Sequence, residues 1–226
     1  PLKNENLNLE INAWAEFGFT YARVLLDKEK HFLKAGATIK MNKGLGSAYL
    51  FTKKLDLTIK NSDTISVNTT ASYGLSENFD ENVTFDISDK SAFSFDFGFV
   101  YEFRPQWAKY KYDKDDKTGL WRRDQDKYLL RIGFTASDIG SVRFKRNPNS
   151  KDFTANVQNL DINKTGIESI PDFNHYIDSV FDVNPNTANS YDMGLPVCFS
   201  MQADLRIMKG LYVNFTPYLA MNLDAA

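Results

Sequence analysis

The chain has 226 residues, with 27 Lys and Arg against 29 Asp and Glu, which gives a net charge of −2. This balance offers no basic excess for nucleic-acid binding. A mean hydropathy of −0.41 and the lack of any run of about 20 apolar residues exclude a helical membrane protein. Cys198 is the only cysteine, so the chain has no disulfide framework.

Segments in which apolar and polar residues alternate follow one another along much of the chain. Successive side chains of a strand point to opposite faces, so this alternation predicts strands with one apolar and one polar face. Polar or glycine-containing turns separate several segments, at residues 27–30, 43–46, 61–63 and 209–210. The predicted strands are residues 11–25, 33–41, 49–59, 65–73, 93–103, 128–134, 197–207 and 211–221.

The fifth predicted strand carries an aromatic residue at every second position. These residues are Phe93, Phe95, Phe97, Phe99, Tyr101 and Phe103. About nine to eleven residues of tilted strand cross a bilayer, and residues 93–103 have that length. A soluble sandwich strand also alternates, but it seldom carries so many large aromatics on one face. The pattern predicts that these side chains face lipid and that the opposite face of the strand meets water.

Charged residues of both signs share the polar positions of the predicted strands. They are Glu16, Lys34, Lys40, Lys54, Asp56, Asp96, Glu102, Arg131, Asp204 and Arg206. In a transmembrane barrel they would face the lumen, where opposite charges pair and make the barrel rigid. A selective pore would instead show rings of one sign. Arg23 and Lys53 fall on the apolar face, so we expect both near a membrane interface, where long side chains reach water.

The strands and their local turns predict an all-β fold, an antiparallel up-and-down transmembrane β-barrel of at least eight strands. Closure is expected because lipid offers no partner for the backbone groups of a sheet edge. Residues 1–226 would form this single outer-membrane barrel domain, and neither end resembles a native terminus, so we expect a fragment of a longer chain. Residues 138–195 are predicted as a long loop on the outer side. Its apolar spacing and Pro171 predict a short helix near 171–182, which caps the barrel rim or plugs the lumen.

Residues suited to catalysis or metal binding are few. His31 and His175 are the only histidines, and both fall in predicted loops. A serine hydrolase site on adjacent strands is therefore not supported. No cluster of His, Cys and carboxylate residues has the spacing of metal ligands. We predict no enzymatic activity, no cofactor and no metal.

A family resemblance is carried by residues 14–23, 32–40, 44–46, 95–104, 119–123, 130–134, 138–141, 195–196 and 203–213. These segments resemble a Bacteroidetes family of outer-membrane proteins that is catalogued as a domain of unknown function. That family is more distantly similar to long-chain fatty-acid transporter barrels, including the barrel subunit of the type IX secretion system. The resemblance implies about fourteen strands in the full protein, a location in the cell outer membrane, and no established catalytic residues.

Three functions remain open at this point. The leading hypothesis is a non-enzymatic outer-membrane barrel that contacts outer-membrane lipid and acts as a structural or partner-binding subunit of a cell-envelope complex. The second, implied by the transporter resemblance, is a conduit for a small hydrophobic ligand. The third is a soluble β-barrel or sandwich binding protein, in which the same apolar faces pack into a core.

Overall fold

The computed structural model describes residues 2–77, 79, 87–122, 124–161, 169–185 and 188–222. Within these residues, twelve strands form one antiparallel sheet and two more form a separate hairpin, so the predicted antiparallel β class is confirmed. A turn of 3₁₀ helix, Trp107–Tyr110, precedes this hairpin. The elements are β1 (Leu2–Glu5), β2 (Asn8–Asp27), β3 (His31–Ile59), β4 (Thr64–Leu75), β5 (Ala92–Phe103), β6 (Lys111–Lys114), β7 (Lys117–Trp121), β8 (Leu130–Lys145), β9 (Lys151–Asp161), α1 (Ile170–Val180), β10 (Asp182–Pro185), β11 (Ser190–Gly194), β12 (Pro196–Met208), β13 (Leu211–Phe215) and β14 (Tyr218–Asn222).

One part of the large sheet, here called the aromatic sheet, is a meander. Its neighbours run in the order β2, β3, β5, β8, β12, and then β13 together with β14. It uses residues 31–42 of β3 and 130–140 of β8, because both strands continue beyond it. β13 and β14 replace the single predicted strand 211–221, with a break at Thr216 and Pro217. Among the described residues, no pairing joins β2 to β13 or β14, so the sheet has two free edges there.

The other part, here called the distal region, extends beyond one end of the aromatic sheet. It contains residues 43–59 of β3, together with β4, β9, β10 and α1, and β11 paired to residues 141–145 of β8. Tyr49 packs in the buried cluster formed with β8 and β11, and Leu50 packs against the cluster that contains Ile177 of α1. Because consecutive strand residues point to opposite faces, α1 and the β8–β11 pair cover opposite faces of β3.

β3 is continuous over its 29 residues, so the turn predicted at 43–46 is wrong and two predicted strands are one. β2 pairs with this stretch, with Trp14 opposite Gly44. A Cβ atom at Gly44 would lie 2.6 Å from the Phe144 ring and 3.2 Å from the Arg143 carbonyl oxygen. Gly44 therefore allows β8 to pack closely on β3. Close approach of another backbone is, besides a turn or a bulge, a known reason for a glycine within a strand.

Residues 138–195 do not form the predicted long loop. They hold the end of β8 and all of β9, α1, β10 and β11. The short helix is confirmed, because α1 follows Ser169, whose hydroxyl accepts a hydrogen bond of 3.2 Å from the Asp172 amide. Pro171 occupies its first turn, where a missing N–H costs nothing. The described residues contain no helix long and apolar enough to cross a membrane.

Candidate functional site

The face of the aromatic sheet that carries the aromatics of β5, here called the outer face, is apolar and open. Phe93, Phe95, Phe97 and Phe99 are between 40% and 55% exposed, and the other two aromatics of β5 are half-buried. Strand pairing places large apolar residues of the neighbouring strands on this same face. The exposed ones are Phe17, Phe19, Tyr21, Ile39, Met201, Leu205, Val213, Phe215 and Leu219. Soluble monomers rarely expose contiguous apolar patches larger than a few hundred Å².

A histidine lies at the end of this face, near the β2–β3 turn. His31 Nδ1 is 2.7 Å from the Tyr101 hydroxyl oxygen, and its ring lies 5.8 Å from the ring of Phe103. His31 is the first residue of β3 and His175 lies within α1, so neither is in a loop as predicted.

The opposite face of the aromatic sheet, here called the inner face, carries a lysine that contacts three carboxylates. These four side chains are here called the Lys40 cluster. Lys40 Nζ lies 2.6 Å from Asp138 Oδ1, 3.0 Å from Asp96 Oδ2 and 3.6 Å from Glu16 Oε2. Only 14% of the lysine side chain is exposed. Trp14 Nε1 donates a hydrogen bond of 2.9 Å to Glu16. The cluster ties β2, β5 and β8 to β3 and holds an excess of negative charge around one ammonium group.

Asp138 is the member of this cluster that the sequence analysis missed. The register between β5 and β8 shifts between Phe95 and Phe97, which marks a bulge, and Asp138 has a φ of +62°. The backbone N–H of Asp138 donates a hydrogen bond of 2.8 Å to Asp96 Oδ1. Simple alternation along β8 would put Asp138 on the apolar face, and the bulge turns it inward. The one signal was its residue type, since Asp adopts the left-handed region more readily than most residues.

A second network lies at the opposite end of the inner face, beside the β2–β3 turn. Glu102 Oε2 accepts hydrogen bonds of 2.9 and 2.7 Å from Nε and Nη2 of Arg104. Glu102 Oε1 accepts one of 2.9 Å from Arg131 Nε. Arg104 Nη1 also lies 3.4 Å from Asp27 Oδ1. Glu102 and Arg104 are both buried, so this pairing keeps the two charges compensated.

Two further predicted charges complete this end of the inner face. The Tyr128 hydroxyl donates a hydrogen bond of 2.6 Å to Asp204 Oδ2. Arg206 Nη1 donates to the Tyr110 hydroxyl and, at 3.2 Å, to the Asp126 carbonyl oxygen. The Arg206 contacts connect the aromatic sheet to residues 104–127, the segment that contains the β6–β7 hairpin.

A groove of about 490 Å³ lies on the inner face between the two networks. Its floor consists of small and polar residues in two rows of directly opposed positions. A Cβ atom at Gly98 would lie 2.8 Å from the Phe134 carbonyl oxygen, so no larger residue fits where β5 and β8 meet. The rows are Ala22, Gly36, Gly98, Thr135 and Ser200, and then Val24, Lys34, Val100, Gly133 and Gln202.

The lumen-facing set predicted from sequence is thus divided among these places. Five of its members enter the two networks. Asp204 and Arg206 make the separate contacts beside the second network, and Lys34 lies in the groove. No other described residue accepts a hydrogen bond from the Lys34 ammonium group or pairs with it. Lys54 and Asp56 lie in the distal region, away from both networks, and Asp56 accepts a hydrogen bond from the Asn4 N–H.

The two cations predicted near a membrane interface also differ in position. Arg23 is exposed and lies four residues before the end of β2, on the outer face. Lys53 is exposed in the distal half of β3. Across the described ranges, no group of three or more His, Cys, Asp or Glu side chains is placed to hold a metal ion.

The chain matches a known family along nearly its whole length. The match is to the family described as "Family of unknown function (DUF5723)", over residues 1–223. No curated protein and no solved structure matches the chain. The resemblance to a family of unknown function is therefore confirmed at this level, and the chain belongs to the DUF5723 family.

Proposed function

We propose that this protein is a non-enzymatic β-barrel of the cell outer membrane that acts as a structural or partner-binding subunit of a cell-envelope complex. The observation that carries the proposal is the continuous exposed apolar face of the aromatic sheet, backed by an inner face of paired charges. Lipid outside and water inside is the environment in which this arrangement is stable.

The height of the apolar face supports a membrane location. On β5 it extends from Phe93 to Phe103, about 33 Å along the strand at about 3.3 Å per residue. With the usual tilt of about 40°, this corresponds to about 25 Å along the barrel axis, the height of the apolar band of outer-membrane barrels.

The free edges of the aromatic sheet support a closed barrel. The backbone groups along the free edge of β2, and along the free edge of β13 and β14, have no strand partner among the described residues. In lipid, each unpaired group costs several kcal/mol (order of magnitude), so both edges must be paired there. A barrel of about fourteen strands, as the resemblance implies, would pair them.

The distal region supports the partner-binding part of the proposal. It is a folded unit with its own buried clusters, and it stands beyond the apolar face. A soluble barrel, the third hypothesis, would pack the aromatics of β5 as tightly as those of the distal region. Phe144 is 1% exposed, whereas Phe93 is 55% exposed, which favours the membrane proposal.

The test is to extract the full chain from carbonate-washed membranes and to compare gel migration of unheated and boiled samples. We expect the protein to stay in the membrane and to migrate faster unheated. Release into the carbonate wash without a mobility shift would overturn the membrane proposal. Copurification from native membranes then tests the complex, and recovery of the monomer alone would contradict a subunit role.

A ligand conduit is the second candidate function, and the groove between the two networks favours it. A lumen filled by ion pairs would leave no room for a ligand, but this groove has a volume within the range of small-molecule sites. Mass spectrometry of organic extracts of the purified protein tests this candidate. A stoichiometric small molecule would support it, and a clean extract that also stays clean after incubation with membrane lipid would count against it.

A further inference from the structure

A small unit lies where the inner face of the aromatic sheet ends, beside the β2–β3 turn. It consists of the 3₁₀ turn and the β6–β7 hairpin, residues 107–121, and is here called the cap. Along β5, Val100 lines the groove, and Glu102, the next residue on the same face, belongs to the second network. Arg104 follows just beyond the end of β5 and contacts the cap. The cap therefore lies past the second network, at the end of the groove.

Two arginines of the inner face hold the cap by their side chains. The guanidinium carbon of Arg104 lies 4.2 Å from the centre of the Phe32 ring and 5.8 Å from that of the Trp121 ring. Arg206 Nη1 donates a hydrogen bond to the Tyr110 hydroxyl. Arg104 and Tyr110 are both buried. Contacts of a cation with an aromatic ring gain strength when water is excluded, so both arginines fix the cap in place.

The two contacts place the cap across several strands. Arg104 follows β5 and Arg206 lies on β12, and β8 runs between these strands. Neighbouring strands are about 4.8 Å apart, so the cap reaches over about 10 Å of the inner face. In a closed barrel, this position lies over one mouth of the lumen.

The attachment of the cap differs from that of a strand in the large sheet. Among the described residues, β6 and β7 pair with each other and with no strand of that sheet. Residues 112–119 of the hairpin are exposed. If the cap moved away, Arg104 would keep its contact of 2.7 Å with Glu102, so no buried charge would lose its carboxylate partner. The cap can therefore leave without breaking the strand pairing of the aromatic sheet.

We propose that the cap is a releasable lid that closes one mouth of the lumen and separates the groove from the medium on that side. The inference rests on the proposed barrel and goes beyond it, because it assigns a closed resting state and the element that opens. It also bears on the second candidate function, since a conduit through the barrel would have to pass the cap. Release breaks the contacts of Trp121 with Arg104 and of Tyr110 with Arg206.

The test measures the ionic conductance of the purified full chain in planar lipid bilayers, with potassium chloride as the probe. A double variant, Tyr110→Phe with Trp121→Ala, removes both contacts of the cap and changes no residue of the aromatic sheet. Tyr112→Ala is the matched control, because it removes an exposed ring of the same hairpin. Gel migration of unheated and boiled samples shows which variants form the barrel. If the double variant lacks the gel shift, the two single variants take its place.

We expect the unchanged protein to conduct only in rare openings. In the double variant, the open fraction rises about tenfold, since a hydrogen bond to a charged group and a cation–aromatic contact are lost. Tyr112→Ala should behave like the unchanged protein. A heat-modifiable double variant that conducts no more than Tyr112→Ala, or an unchanged protein that conducts as much as the double variant, would overturn the lid alone. Absence of the gel shift from every sample, the unchanged protein included, would overturn the barrel and the lid together.

Discussion

The aromatic sheet and the distal region share β3 but place their large apolar side chains in opposite surroundings. In the aromatic sheet, the aromatics of β5 point outward and the charges point inward. In the distal region, Tyr49 and Phe51 of the same β3 strand lie in or against a buried cluster with Phe144 and Tyr191. The alternation in sequence is alike in both parts. Side-chain burial separates the two parts, and the change occurs along β3 close to Gly44.

The largest expected effect tests the packed side of this comparison. Phe144→Ala should lower the free energy of unfolding by about 3–5 kcal/mol, because a fully buried ring leaves a cavity. Urea unfolding of the full chain refolded in vesicles measures the loss. Phe97→Ala is the matched control on the outer face, where no cavity forms, and we expect about half the loss. Equal losses would mean that Phe97 is packed as tightly as Phe144.

A charge on the outer face gives the next largest effect. Phe97→Arg should cost about 2–4 kcal/mol in vesicles, the price of a cation near the bilayer midplane. The same urea titration measures it, with Phe97→Leu as the control for the lost ring. If Phe97→Arg and Phe97→Leu unfold at the same urea concentration, the outer face does not meet lipid.

The inner face is tested by removing the ammonium group at the centre of the Lys40 cluster. Lys40→Met should destabilise the aromatic sheet by about 1–3 kcal/mol, because three partly exposed carboxylates lose their common partner. Lys34→Met is the matched control from the same strand and face, and we expect little loss, since Lys34 has no described partner to lose. The temperature at which each variant loses its heat-modifiable gel shift compares Lys40→Met and Lys34→Met with the unchanged protein. Equal losses of stability in the two variants would show that Lys40 does not hold the neighbouring strands together.

An effect of the same size as that of Lys40→Met is expected from a test of strand continuity through residues 43–46. Gly44→Ala should cost about 1–3 kcal/mol, because the added methyl group meets the Phe144 ring and the packed neighbours must shift. Gly46→Ala is the control, since a Cβ atom there meets only an ordinary contact of 3.6 Å. Urea unfolding of the two variants compares them. If residues 43–46 formed a turn instead, the two substitutions would change the free energy of unfolding by similar amounts.

Alternation predicted the two-faced strands of the aromatic sheet well, because each of these strands has one polar and one apolar side. It also placed Glu16, Lys40 and Asp96 on one face, where the structure brings them together. It failed at Asp138, because a bulge shifts the register and no pattern in the sequence marks it. The helix was predicted because Pro171 and the apolar spacing are local signals.

The distal region was harder to predict for a different reason. β9 and β11 lie within the segment taken as a loop. β11 has only five residues, and the eleven residues of β9 include only four apolar ones. Gly44 was interpreted as a turn signal, although its role depends on Phe144, which lies 100 residues later in the chain. Contacts over such separations are set by tertiary packing, which local patterns do not record.

The unbroken length of β3 has a mechanical consequence. At about 3.3 Å per residue, its 29 residues have a contour length of up to about 95 Å, although the strand bends where its pairing shifts register near Gly44 and between Lys53 and Asp56. Tyr49 lies in the distal part of this strand, and Lys40 and Lys34 lie in the part within the aromatic sheet. A displacement of the distal region would therefore be transmitted along one continuous strand to the charged residues that line the groove.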